Sequence, residues 1–194
     1  MVNSTVSRVI FAFLLFSCTS LLSGCFPLMG HYYSASTPGG TVSQQDCRGR
    51  AGPKTNVEFE RGDVKLLVSP YQHSSSLTLT VQFWLNNNDR MLTRWNELRV
   101  VDDAGNRLPT ELKGIYAHKA GAPITLSSNN DLIGGNTFTG RDYSLYEVEV
   151  QFVNDAPDDF ILKIPSMTIN GVSYAATNIN FSRQFGWWMQ FINC

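Results

Sequence analysis

Residues that can act as nucleophiles or metal ligands are few in this sequence, and their arrangement matches no catalytic motif. In many serine hydrolases the nucleophilic serine lies between two glycines, in the motif Gly-X-Ser-X-Gly. Ser173 has Gly171 two residues before it, but Ala175 stands where the second glycine would be. The histidines are far apart, and no two of them have the spacing of a metal-binding pair: His31, His73 and His118. We therefore predict no catalytic residue, no metal site and no cofactor, and a protein that is not an enzyme.

Cys25 stands in a context that predicts a covalent modification. An apolar run over residues 9–16 follows a short, positively charged start, and Leu22-Ser23-Gly24 leads directly into Cys25. This arrangement resembles the leader and lipobox of bacterial lipoproteins, in which the cysteine is lipidated and the leader is removed. The resemblance predicts a signal peptide over residues 1–24. An ordinary secretory signal and an uncleaved N-terminal anchor are the alternatives.

The resemblance to lipoproteins implies both an anchor and a location. Such proteins carry three acyl chains on the processed cysteine, palmitate among them, and two or more chains hold a protein stably on a membrane. Phe26, rather than aspartate, follows Cys25. By the sorting rule of enterobacterial lipoproteins, this implies transport to the outer membrane. We expect a lipid anchor in the membrane and a location at the periplasmic face of the outer membrane.

The same resemblance accounts for all four cysteines. Cys18 leaves with the leader and Cys25 carries lipid, so that Cys47 and Cys194 have only each other as partners. The periplasm permits disulfides, and we predict that these two cysteines are bonded. Two free thiols are the alternative.

The charge balance argues against nucleic acid as a partner. The chain has 15 Lys and Arg against 16 Asp and Glu, and removal of Arg8 with the leader leaves 14 against 16. A protein with this slight acidic excess has no basic surface to attract a polyanion. Charged residues make up only 16% of the chain, which is low for a globular protein.

Alternating apolar and polar residues predict β-strands through most of the chain. Residues 77–85 are the clearest case, with apolar residues at the odd positions and mainly polar residues between them. Asn170-Gly171 between two short apolar segments predicts a tight hairpin. Eight or nine such strands, with no sustained helical period, predict a single immunoglobulin-like antiparallel β-sandwich in an all-β protein. A small barrel is the alternative.

The composition divides the chain into three parts. After the signal peptide of residues 1–24, residues 25–53 are rich in Gly, Ser, Thr and Pro and are predicted to form a flexible tether behind the lipidated cysteine. Residues 54–194 form the sandwich domain. Within it, residues 114–143 contain few strand signals and many Gly and Asn residues, which predicts a long connection and a second candidate binding surface.

Aromatic residues are the remaining candidates for a functional surface. Trp84 occupies an even position of the clearest strand and is therefore predicted to face away from the core. Trp187 and Trp188 belong to an aromatic-rich segment near the C-terminus, which is either the last core strand or an exposed patch. We take Trp84, Trp187 and Trp188 as candidate partner-binding residues.

These observations favour a non-catalytic, membrane-anchored envelope lipoprotein that acts as a protein-interaction module. Its envelope protein partner is of unknown identity, and the module is either an assembly accessory or an immunity-type inhibitor. A lipoprotein that binds peptidoglycan, another glycan or a small ligand is the alternative, because aromatic platforms suit sugars as well as proteins. An envelope hydrolase is the least favoured interpretation.

Overall fold

The computed structural model describes residues 25–43, 55–73, 76–119, 122–126, 131–133 and 143–191. Within these residues the chain forms fifteen β-strands and one turn of 3-10 helix, Trp95–Glu97. The strands, in chain order, are β1 (Cys25–Ser36), β2 (Thr41–Ser43), β3 (Asn56–Arg61), β4 (Val64–His73), β5 (Ser76–Asn86), β6 (Arg90–Thr93), β7 (Arg99–Val101), β8 (Thr110–Lys119), β9 (Ala122–Leu126), β10 (Asp131–Ile133), β11 (Tyr143–Phe152), β12 (Asp159–Ile164), β13 (Met167–Ile169), β14 (Val172–Tyr174) and β15 (Thr177–Phe191).

The described strands form three antiparallel sheets. The large sheet has the order β2-β3-β4-β5-β11-β8-β9, and the facing sheet has the order β1-β15-β12-β7. A third sheet, the end sheet, has the order β10-β6-β13-β14. Its strands β6 and β13 directly follow β5 of the large sheet and β12 of the facing sheet. The end sheet therefore lies where the chain crosses between the two main sheets.

One apolar core lies between the large and the facing sheets. Residues at alternate positions of β5 are fully or almost fully buried, as the sequence predicted: Leu77, Leu79, Val81, Phe83 and Leu85. Phe152 of the large sheet meets Phe160 of the facing sheet with ring centres 5.0 Å apart. Phe160 in turn stacks on Phe181 at 5.1 Å. The prediction of an all-β antiparallel sandwich is confirmed, and the likeness to immunoglobulin domains lies in this two-sheet architecture.

The predicted hairpin at Asn170-Gly171 is also confirmed. Both residues have positive φ angles, 50° and 84°, as a two-residue turn with the twist of a β-hairpin requires. The turn joins β13 to β14. The side chain of Asn170 accepts a hydrogen bond from the backbone N–H of Arg90 at 2.9 Å and donates one to Asp89 at 2.7 Å. The turn is thereby fixed to the start of β6.

The predicted flexible tether over residues 25–53 is wrong for residues 25–43. The strand β1 begins at Cys25 and pairs with β15 along its whole length, and β2 pairs with β3. The Gly- and Pro-rich residues 37–40 form the turn between β1 and β2, where Gly39 has a φ of 75°. The same composition suits a tight turn and a flexible linker, and β1 depends on a strand far away in the sequence. Residues 44–53 lie outside the described residues.

The predicted connection over residues 114–143 contains strands. The strand β8 continues to Lys119 and pairs with β9, and β10 pairs with β6. The pairing of β8 with β11 shifts register between Glu149 and Val150. An irregularity of this kind breaks the simple alternation by which a strand is recognised in a sequence. Residues 120–121, 127–130 and 134–142 lie outside the described residues.

Other sequence predictions fall outside the described part of the chain. The signal peptide of residues 1–24, Cys47 and Cys194 all belong to the residues that the structure does not describe. Among the described residues, none belongs to a helix long and apolar enough to cross a membrane.

Candidate functional site

Strands β1 and β15 continue beyond the sandwich as a two-stranded ribbon. The strand β12 pairs with β15 only as far as Ser182, whereas β15 runs on to Phe191. Over that extension the partner of β15 is β1, and Cys25 pairs with Phe191 at the far end. We call residues 25–33 and 183–191 the ribbon, and the Cys25–Phe191 pair its tip.

Tyr33 fixes the base of the ribbon to the sandwich. Its single O–H is shared between the carbonyl oxygens of Ala156 at 3.2 Å and Pro157 at 3.1 Å, in the loop between β11 and β12. Its ring packs against Phe160 with ring centres 5.3 Å apart. Burial raises the pKa of the Tyr33 hydroxyl above 10.0, although the nearby Arg183 acts in the opposite direction. The ribbon therefore starts from a rigid junction.

One face of β15 is buried in the core within the sandwich, and the same face is exposed along the ribbon. Ile179 and Phe181 of β15 are buried in the core, and the next residues with the same alternation are Arg183, Phe185 and Trp187. Their partners on β1 are Tyr33, His31 and Met29. The exposed fractions are 53% for Met29, 59% for Phe185 and 70% for Trp187. We call Met29, His31, Phe185 and Trp187 the apolar face of the ribbon.

Contacts on both faces add to the backbone pairing of the ribbon. On the apolar face, the rings of His31 and Phe185 lie 5.1 Å apart as a directly paired couple. On the other face, a Cβ atom built on Gly186 would lie 3.3 Å from the ring of Tyr32. The tyrosine ring therefore covers the backbone at this glycine. One face is thus apolar and exposed, and the other carries Tyr32, exposed Gln184 and a covered glycine.

Trp84 faces away from the core, as its position in β5 predicted, but its side chain is partly buried rather than freely exposed. It lies between Lys65 of β4 and Leu145 of β11 in the same row of the large sheet. Neighbours directly across a strand are close enough to pack against a tryptophan ring. Part of the Trp84 side chain is therefore exposed, and the rest packs against its neighbours on the sheet.

Polar pairs surround Trp84 on the outer face of the large sheet. Gln82, two residues earlier in β5, donates a hydrogen bond to Glu147 at 2.6 Å. Glu58 accepts from Lys65 at 2.6 Å and from the hydroxyl of Ser43 at 2.9 Å. These two bonds lower the pKa of Glu58 below 4.5. The outer face is thus an apolar strip with an ordered polar border.

The other shifted acidic groups have local structural causes. The carboxylate of Asp102 accepts hydrogen bonds from the side chain and the backbone N–H of Asn106, which lower its pKa and close a turn. Lys113 lowers the pKa of Glu111 in the same way. Within the described part of the chain, no group of three or more His, Cys, Asp or Glu residues is placed to hold a metal ion.

The structure brings together only some of the candidate residues. Trp187 lies on the exposed ribbon, and Trp84 lies far from it on the outer face of the large sheet. The backbone of Trp188 pairs with Leu28, and that of Cys25 lies at the tip, but their side chains are not among those described. Cys47 and Cys194 lie outside the described residues.

No protein family matches the sequence of this chain, and neither does any curated protein.

The sequence prediction missed the contribution of Met29 and His31 to the exposed face. Both lie in β1, which the composition had assigned to a tether. The signal that was available is the absence of Asp, Glu, Lys and Arg throughout Cys25–Ser36, together with its aromatic content. A solvated linker of this length ordinarily carries charged or small residues.

Proposed function

We propose that this chain is a lipid-anchored lipoprotein of the bacterial envelope, at the periplasmic face of the outer membrane, and that it acts as a non-catalytic protein-interaction module. The observation that carries the proposal is the ribbon. Its tip contains Cys25, the cysteine that we propose to be lipidated, and its apolar face is exposed. Apolar side chains that are exposed together mark surfaces that contact a partner or a membrane.

The position of Cys25 supports the anchor. The strand β1 starts at this residue, so a lipid on Cys25 would be attached at the end of the ribbon that lies farthest from the sandwich. The rigid junction at Tyr33 would then hold the domain at a defined distance and direction from the membrane. An anchor of this kind presents the sandwich to soluble or membrane-bound partners in the periplasm.

We assign the protein partner to the outer face of the large sheet around Trp84. The strip formed by Trp84, Leu67 and Leu145 is apolar and partly buried, and charged and amide side chains border it. Protein interfaces commonly have an apolar centre with a polar rim, and tryptophan is enriched at their energetic centres. A partner of this face would be an envelope protein whose assembly the module assists, or a toxin that it inhibits.

Binding of a glycan is the second candidate, and one observation favours it. Trp84 lies beside the hydrogen-bonded pair Gln82 and Glu147 on the same face. A flat aromatic ring next to amide and carboxylate groups offers both a stacking surface and hydrogen-bond partners to a sugar. Cosedimentation with purified peptidoglycan, compared between the wild type and Trp84→Ala, separates this candidate from the protein partner.

Photo-crosslinking in the native cell tests the protein-interaction module. A photoreactive amino acid replaces Lys65, which lies next to Trp84, and, as a matched control, Lys163 on the outer side of the facing sheet. We expect one discrete protein adduct from position 65, absent from position 163 and lost when Trp84→Ala is added. Equal adducts from both positions, or an adduct that survives Trp84→Ala, would contradict the assignment.

A further inference from the structure

We infer that the apolar face of the ribbon contacts the lipid bilayer, so that the ribbon leans toward the membrane and seats Trp187, Phe185 and Met29 at its surface. This inference rests on the proposed lipid anchor at Cys25. It names the partner of the ribbon, whereas the protein partner is assigned to the face around Trp84.

The apolar face lies close to the proposed anchor. Met29 and its partner Trp187 lie four residues along the ribbon from the Cys25–Phe191 pair. At about 3.3 Å per residue, this is a distance of about 13 Å. Because β1 begins at Cys25, no flexible spacer separates the acyl chains from these side chains. The bilayer surface therefore lies within about 13 Å of the apolar face, and a tilt of the ribbon brings the two together.

The chemistry of the two strands fits the interfacial layer of a membrane. None of the 16 Asp and Glu residues lies in β1 or β15, and Arg183 is the one Lys or Arg residue that these strands contain. The ribbon therefore brings no negative charge to an anionic lipid surface. Tryptophan is enriched at the level of the lipid headgroups, where its ring meets apolar chains and its N–H meets water.

Further exposed apolar side chains lie at the same end of the sandwich. Tyr33 at the ribbon base bonds to the loop that follows β11, so the end of β11 and the ribbon are neighbours. Val153, directly after β11, is 56% exposed, and Tyr71, near the adjoining end of β4, is 45% exposed. The end of the domain that faces the proposed anchor thus displays more apolar surface than the ribbon alone.

The geometry of the sandwich decides how the ribbon meets the membrane. An upright ribbon would lift Trp187 about 13 Å above the anchor, beyond a headgroup layer of roughly 5–8 Å. A flat ribbon is excluded, because the large sheet lies on the side of the apolar face and about 10 Å from the facing sheet. A leaning ribbon places the apolar face in the interface and brings the adjoining end of the large sheet down to the headgroups.

Fluorescence quenching by brominated lipids tests this orientation. The lipidated full-length mature protein is reconstituted into phosphatidylethanolamine–phosphatidylglycerol vesicles that carry bromine in their acyl chains, after mass spectrometry has established the lipid on Cys25. We expect quenching of tryptophan emission that falls by about one third or more in Trp187→Phe, which removes the exposed indole of the apolar face. Quenching should be unchanged in Trp84→Phe, which lies toward the far end of β5.

A pair of adjacent positions separates the two faces at distances from the anchor that differ by only one residue, about 3.3 Å. On the Trp187→Phe background, Phe185→Trp places the indole on the apolar face, and Gln184→Trp places it on the opposite face. We expect the new tryptophan to be quenched about threefold more strongly at position 185 than at position 184. Equal quenching at the two positions would overturn the inference.

The remaining outcomes are also distinguishable. If lipid is present on Cys25 but none of the ribbon positions is quenched, the ribbon stands off the bilayer: the inference fails and the anchor stands. If, in addition, a photoreactive amino acid placed at position 185 crosslinks to a second copy of the chain, the apolar face is a dimer interface. If mass spectrometry finds no lipid on Cys25, the proposed anchor fails before any quenching is measured, and the inference fails with it.

Discussion

Glu58 joins three strands of the large sheet through one carboxylate. From β3 it accepts hydrogen bonds from Ser43 of β2 and Lys65 of β4, at 2.9 and 2.6 Å. These bonds lower the pKa of its carboxyl group, because they favour the charged form more than burial disfavours it. The pair is partly exposed to solvent, so its contribution to stability is that of a surface interaction.

Replacement of this carboxylate gives a pH-dependent loss of stability. We expect Glu58→Gln to lower the free energy of unfolding by about 0.2–1 kcal/mol at neutral pH. Because the folded pKa is lowered, the stabilisation is present above the unfolded value near 4.5 and is lost as the pH falls through the folded pKa. Urea unfolding of both proteins from pH 7 to pH 3 measures the difference. A difference that grows on acidification would show that the sign is wrong.

Trp84 and Trp95 differ in what surrounds them, and their truncation should differ accordingly. Trp84 is partly buried on the outer face, whereas Trp95 is 3% exposed and packs edge-on against Phe83 at 5.0 Å. We expect Trp84→Ala to weaken partner capture by about 2 kcal/mol, or roughly 30-fold. Its cost in stability should be about 1 kcal/mol, well below the roughly 3–5 kcal/mol expected for Trp95→Ala.

Partner capture and thermal unfolding, measured on the same preparations, separate these two effects. A loss of stability in Trp84→Ala as large as that in Trp95→Ala would place Trp84 in a structural role. Unchanged capture together with unchanged stability would show that the partner binds elsewhere on the domain.

The turn between β13 and β14 is the element whose geometry depends most directly on residue type. Gly171 has a φ of 84°, a conformation that side chains with a Cβ adopt at a cost. Open space surrounds the position where a Cβ would lie, so steric contact adds nothing to this backbone term. The residue therefore isolates the effect of backbone conformation on the hairpin.

We expect Gly171→Ala to destabilise the domain by about 1 kcal/mol, because alanine resists a positive φ angle. Gly171→Asn should recover part of this loss, since asparagine tolerates the left-handed region better than alanine does. Chemical denaturation of the three proteins measures both changes. Equal stability of the alanine and wild-type proteins would mean that the turn relaxes into another conformation.

At the scale of elements, the sequence indicates strands that alternate strictly and misses those that do not. The strand β5 alternates without interruption, and its core residues and outward Trp84 are correctly predicted. The strand β1 has little alternation of apolar and polar residues, and its partner β15 lies more than a hundred residues away. No local pattern reports such a pairing, since it depends on the whole fold.

The exposure of the ribbon could not be read from the sequence for a related reason. Phe181 and Phe185 occupy equivalent positions of the same alternating pattern, yet one is buried and the other is 59% exposed. What differs is the point at which β12 stops pairing with β15 and the sandwich ends. The aromatic density of the segment indicated a strand, and only the tertiary structure shows which part of it is covered.

At the scale of the whole molecule, the predicted disulfide concerns two cysteines outside the described residues. We expect Cys47 and Cys194 to be bonded in protein from the periplasm, and each serine substitution to lower stability by about 2–5 kcal/mol. The double substitution should cost little more than either single one, because both remove the same bond. Thiol counting on the unfolded, unreduced protein measures this, and two free thiols would exclude the bond.

The proposed membrane contact of the ribbon and the proposed location both depend on the lipid anchor at Cys25. Metabolic labelling with a palmitate analogue, in the native cell and with the full-length chain, tests it most directly. We predict that the wild type and Cys47→Ser incorporate the label in the outer-membrane fraction, and that Cys25→Ser incorporates none. Label retained by Cys25→Ser, or a wild-type protein without label, would contradict the account.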